Sequence, residues 1–183
     1  MAFDFSHINE EWTLFLDRDG VINVEKNEDY IRQWAEFEFY PESLLALPLL
    51  ANKFPRIIIT TNQKGVGKGL MTEEDLKDIH LNMVQQIELV NGRIDHIYYC
   101  TDLDNDSPNR KPQAGMAFQA AKQFPLIQLD KSIIVGNRMS DMEFGRNAGM
   151  HTVFLATTHP ETAFPHTKID YRFDNLFQFA QAI

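Results

Sequence analysis

Trp12-Thr13-Leu14-Phe15-Leu16-Asp17-Arg18-Asp19-Gly20 is the stretch whose reading decides the fold. Residues 12–16 are an unbroken run rich in aromatic, aliphatic and β-branched side chains, which reads as a strand buried on both faces. Asp-x-Asp-Gly then reads as the turn that ends it, since Asp and Gly both favour turns. Residues two apart in an extended chain project to the same side, about 6–7 Å from each other. Asp17 and Asp19 can therefore address one group of a ligand.

Outward from that strand, four runs of the same kind occupy 56–60, 96–100, 132–136 and 151–155. Segments with helical spacing lie between them at 41–52, 72–91, 115–124 and 139–148, the second opened by Thr72 with Asp75 in its first turn. Residues 176–183 read as a short last helix at one edge. Strand and helix in alternation predict an α/β fold, a Rossmann-like three-layer sandwich with a central parallel sheet in one domain. Ligands of such sheets bind outside the C-terminal strand ends. Those ends carry Asp17-Arg18-Asp19-Gly20, Thr60-Thr61-Asn62-Gln63 and Gly136-Asn137-Arg138-Met139-Ser140-Asp141.

The composition narrows the function. The chain has 183 residues, 44% hydrophobic and 23% charged, which suits one folded domain. A formal net charge of −9 without a basic run argues against nucleic acid as partner. No apolar run reaches membrane-span length and residues 1–11 lack a signal-peptide layout, so a cytoplasmic protein, expected to be monomeric, is the reading. Cys100 is the only cysteine, and one thiolate builds neither a disulfide nor a zinc cage. Phe15, Phe118 and Phe144 are core candidates, and His80, His96 and His151 lack metal-ligand spacing and read as structural.

Leu14-Phe15-Leu16-Asp17-Arg18-Asp19-Gly20-Val21-Ile22-Asn23 resembles the first motif of the haloacid-dehalogenase (HAD) phosphatases. The resemblance extends, in order, to Thr61-Asn62-Gln63, to Arg110-Lys111-Pro112 and to the loop 136–141, and covers roughly residues 14–155. It is strongest to the branch that contains heptose-bisphosphate and histidinol-phosphate phosphatases. It implies that Asp17 is a nucleophile forming an aspartyl-phosphate and that Asp19 is the acid and base. Thr61 would bind a phosphoryl oxygen, and Lys111 would hold the like charges together. Asn62, Gln63, Arg110 and Arg138 would contact substrate. Mg²⁺ would be held by Asp17, Asp19 through its carbonyl, Asn137 and Asp141.

One position departs from the pattern: Asn137 stands where the first acid of the fourth motif is expected, so an Asp there should lower the Mg²⁺ requirement. The zinc loop of many members of this branch is also missing, with Cys100-Thr101-Asp102 and Ser107-Pro108-Asn109 in its place. No separate cap fits between the first two strands, so the site should be open and the substrate a small phosphorylated metabolite, a sugar bisphosphate above all. A catalytically weak relative that binds such a metabolite without turnover is the alternative from another class.

Overall fold

The computed structural model describes residues 3–183; Met1 and Ala2, part of the leader reading, lie outside the described residues. Six strands form one parallel sheet: β1 Thr13–Leu16, β2 Arg56–Asn62, β3 His96–Cys100, β4 Ser132–Gly136, β5 His151–Leu155 and β6 Tyr171–Phe173. Their order across the sheet is β3-β2-β1-β4-β5-β6. The chain thus builds outward from β1 through β2 to β3, then returns to the other side of β1 with β4. That reversal opens a crevice at the C-terminal ends of β1 and β4, where an open α/β sheet binds its ligand.

The helices are α1 Pro41–Lys53, α2 Lys64–Gly67, α3 Glu73–Leu89, α4 Gly115–Gln123, α5 Met139–Ala148 and α6 Leu176–Ala182. β1 shows why the sheet is a middle layer. Leu14 and Leu16 pack with Leu47 and Leu50 of α1, Met83 and Ile87 of α3 and Phe179 of α6, whereas Phe15 points to the other face, among Met116 and Ala117 of α4 and Phe144 of α5. All three strand residues are fully buried, so truncating Phe15 to Ala would cost about 3–5 kcal/mol.

Sequence and structure agree closely on the positions of the five main strands and the longer helices, and β6, α2 and Phe118 depart from expectation. β6 is short, half-buried and at the edge, and its three residues carry no apolar run. α2 falls in the glycine-rich stretch 64–69, outside the segments with helical spacing; Gly65 and Gly67 disfavour a helix, and backbone bonds from Lys68 to Lys64 and from Leu70 to Gly65 close the turn. Phe118 is not core: it stands on the outer face of α4 and is exposed. The Thr72 reading holds, for Thr72 Oγ1 accepts from the Asp75 amide and the Asp75 carboxylate accepts from the Thr72 amide. No helix among the described residues is long and apolar enough to cross a membrane.

Candidate active site

A cleft of about 640 Å³ opens at the crevice, and Asp17, Asp19, Thr61, Lys111 and Asp141 all line it. β1 delivers Asp17 into the sheet end, where its amide donates to Val135 of β4. Lys111 arrives from the loop before α4 and is buried. Its Nζ lies 2.9 Å from Asp17 Oδ1, 2.6 Å from Asp141 Oδ1 and 2.8 Å from the Thr60 carbonyl it donates to. A lysine ammonium has three donors, and here all three are used.

Asn62 sets where Lys111 stands. Its side chain accepts from the Lys111 amide and donates to the Lys111 carbonyl, both at 3.1 Å. The resemblance assigns Asn62 to substrate, whereas its amide side chain is spent on the backbone that carries the cation. Gln63 Nε2 donates to Asp19 Oδ2 and to Thr61 Oγ1, each at 2.9 Å, linking the two strand ends.

Asp141 is drawn back over the start of α5, where its Oδ2 accepts from the Arg138 amide at 3.0 Å. Gly136 makes this possible: a Cβ there would stand 2.2 Å from Asp141 Cβ and 2.5 Å from its carboxyl carbon. Asn137 lies beneath the cleft, fully buried, with its amide on Gly20. Gly20 has φ +82°, a left-handed turn that favours glycine, and a Cβ there would meet Asn137 Nδ2 at 2.0 Å. Arg138 and Arg110 reach the rim. Arg138 pairs with Glu25, and Arg110 donates to Asn105 Oδ1 and the Asp102 carbonyl.

The two carboxylates of the first motif are treated in opposite ways. Burial pushes Asp17 up to about 7, Lys111 opposes this, and Asp141 and Asp19 reinforce it. Burial pushes Asp19 the same way, but Arg18 overrides it: Nη2 lies 2.9 and 3.0 Å from the two Asp19 oxygens, and Asn23 and Gln63 donate as well, so Asp19 is held below the usual range. Arg18 is itself fully buried and lies 3.2 Å from His80 Nε2 through Nη1. Burial and the neighbouring guanidinium bring His80 down to about 3, so its ring is neutral and accepts from Arg18. For Lys111, burial works against the charge, and Asp141 and Asp17 together outweigh it and hold the ammonium above its ordinary value.

These charges bear on whether a divalent cation suits the site. With Arg18 matched to Asp19, Asp17 and Asp141 share the single charge of Lys111, leaving one carboxylate in excess inside a buried cluster. Asn137 Oδ1 adds a buried oxygen with no hydrogen-bond partner among the described residues. Oxygen donors with excess negative charge are what a hard cation such as Mg²⁺ prefers.

Of the ten residues singled out from sequence, nine line this cleft and Asn137 lies under it. Sequence reading placed the loop 25–36 beside the site but missed the contact of Glu25 with Asn137 and that of His80 with Arg18. Their partners Asn137 and Arg18 are 112 and 62 residues away, and no local pattern marks such pairs.

Comparison with known proteins gives the same outline. Residues 108–177 match the HAD-hydrolase-like family model. The D-glycero-alpha-D-manno-heptose-1,7-bisphosphate 7-phosphatase of Mycobacterium bovis is 35% identical over 174 residues, covering 94% of this chain and 92% of that protein. The D-glycero-beta-D-manno-heptose-1,7-bisphosphate 7-phosphatase of Helicobacter pylori is 30% identical over 164 residues, covering 88% and 92%. Among solved structures, the D,D-heptose 1,7-bisphosphate phosphatase of B. bronchiseptica, complexed with magnesium and phosphate, superimposes with a TM-score of 0.82 at 26% identity, covering 92% of this chain and 96% of that one.

Proposed function

The chain belongs to the HAD-like hydrolases and is a phosphatase, and from that premise we propose that it removes the 7-phosphate of D-glycero-D-manno-heptose 1,7-bisphosphate. The observation that carries the catalytic part is Lys111 Nζ, buried and in contact with both Asp17 and Asp141 at the crevice of the sheet. Relatives that act on this sugar bisphosphate and match nearly the whole chain support the substrate.

Asp17 is the nucleophile. Its carboxylate oxygen attacks phosphorus in line with the departing sugar oxygen, giving an aspartyl-phosphate, and water then attacks that phosphorus and restores the carboxylate. Asp19 protonates the sugar oxygen as it leaves and afterwards takes the proton from the attacking water. Lys111 offsets the charge that builds on the equatorial oxygens. Thr61 and the backbone amides that follow β2 bind those oxygens, while Asn62 keeps Lys111 in place. Arg110 and Arg138 face the rest of the substrate at the rim, while Gln63, buried between Asp19 and Thr61, steadies those two side chains.

Turnover needs Asp17 ionised and Asp19 protonated, the reverse of the balance in the ligand-free protein. Mg²⁺ held by Asp17, the Asp19 carbonyl, Asn137 and Asp141 would supply the positive charge that favours ionised Asp17 and tolerates a phosphate dianion beside it. The dianion in turn raises the proton affinity of Asp19, and a proton there weakens its hold on Arg18.

The test is phosphate release from both anomers of heptose 1,7-bisphosphate, histidinol phosphate and a 3′-phosphorylated oligonucleotide, with Mg²⁺ and with EDTA. Mg²⁺-dependent release with a strong preference for a heptose anomer is expected. A preference for histidinol phosphate would overturn the substrate, and no release from any compound would overturn the mechanism.

A further inference from the structure

The acid missing from position 137 has a substitute in contact with it. Asn137 Nδ2 donates to Glu25 Oε2 at 3.1 Å and to Thr158 Oγ1 at 2.7 Å. A carboxylate only accepts hydrogen bonds, so the nitrogen must face Glu25 and the amide cannot turn over. Oδ1 is thereby fixed as the free end of the group, a fully buried acceptor with no partner among the described residues. Native interiors rarely leave such an atom unmatched without a use.

The same contact is built from three other directions. Glu25 is mostly buried and also pairs with Arg138, so its carboxylate is tied down. Gly20 leaves the volume that the Asn137 amide occupies, and Thr157 Oγ1 donates to the Gly20 carbonyl at 2.5 Å, joining the loop after β1 to the loop after β5. The amide therefore sits in a clamp whose one open valence is an oxygen.

We propose that Glu25 is a positioning residue for the divalent cation: its carboxylate, anchored on Arg138, fixes the Asn137 amide through one hydrogen bond and holds Asn137 Oδ1 ready to ligate. The inference rests on the phosphatase reading above, because that reading brings the cation. It also reverses the expectation drawn from sequence for an Asp at 137. Two carboxylates 3.1 Å apart would repel, so the added charge gives no gain while Glu25 is present.

The test is Mg²⁺ binding by calorimetry, without substrate, on the full chain and on three variants checked for folding by circular dichroism. Glu25→Gln should weaken Kd by about 10–100-fold, the usual effect of losing a group that orients a metal ligand. Asn137→Asp alone should bind no more tightly than the parent. The double variant E25Q/N137D moves the carboxylate from 25 to 137 and lets the Gln amide donate to it, so Kd should return to within about threefold of the parent, a coupling that independent sites would not show. An unchanged Kd in a folded Glu25→Gln protein overturns the inference. So does tighter binding by Asn137→Asp alone, or a double variant no better than Glu25→Gln. A parent protein that binds no Mg²⁺ would overturn this inference and the phosphatase mechanism together, whereas parent binding with no response to Glu25→Gln overturns this inference alone.

Discussion

Asp17 and Asp19 leave the same strand end two residues apart, yet one is pushed up to about 7 and the other is held low. Burial acts on both in the same direction, so the difference lies in their partners. Asp17 shares one ammonium with Asp141, while Asp19 has a guanidinium to itself, two amide donors, and a neutral His80 that keeps the guanidinium aimed. Adjacent carboxyls acquire different work from the count of cations each can reach. A pair of titratable groups driven apart by environment is a familiar mark of an acid–base site. On the proposed mechanism, the ligand-free order of the two values is the one that cation and substrate invert.

The sharpest way to break this contrast is to remove the proposed nucleophile. Asp17→Asn should lower phosphate release by about 10⁴-fold or more with the fold intact by circular dichroism, a loss of the size seen when a covalent nucleophile is deleted. Residual turnover near the parent rate would sink the assignment. Asp19→Asn should cost about 10²–10⁴-fold on a sugar phosphate, and much less in the first step with a p-nitrophenyl ester, whose leaving group needs no proton. Equal losses on both esters, seen in burst kinetics, would mean that Asp19 does not protonate the leaving group.

Lys111→Met should cost about 10²–10³-fold in kcat and also about 3–5 kcal/mol in urea-monitored stability, because it strands Asp17 and Asp141 in a buried site. Loss of activity with unchanged stability would contradict the buried cluster. The smallest effect expected is one of sign. The folded value of Asp17, about 7, exceeds its ordinary 3.8, so the folded protein keeps a proton that the unfolded chain has lost between those values. The stability this carboxyl contributes is complete below pH 3.8 and disappears as pH rises to about 7. In EDTA, Asp17→Asn should therefore melt a few degrees above the parent at pH 8, with the gap closing toward pH 4. A lower melting temperature at pH 8 would mean that attraction to Lys111 outweighs burial.

Much of this was legible in the sequence because the sheet is buried on both faces: strands such as Ile57–Ile59 and Ile133–Val135 have no polar alternation to blur them. The polar residues at their ends then mark Asp17, Thr61 and Asp141, and the resemblance adds Lys111 from the loop before α4. Residues whose partners are remote stayed hidden. Glu25 reads as one acid among several in a loop, and His80 as one more residue of an amphipathic helix, until the fold brings them to Asn137 and Arg18. Phe118 failed for the opposite reason, since composition alone says nothing of which side of a short helix faces the core.

The paired hydrogen bonds between Asn62 and the Lys111 backbone also divide the chain for engineering purposes. The segment from 63 to 110 leaves and re-enters the site at one pinned point, its ends fastened to each other as well as to the scaffold, while β3 and α3 within it stay built into the sheet and the core. Lengthening or exchanging 102–109 inside it would reshape the mouth of the cleft without shifting the ammonium, and the equivalent loops of other phosphatases become interchangeable parts for altering which ester is accepted.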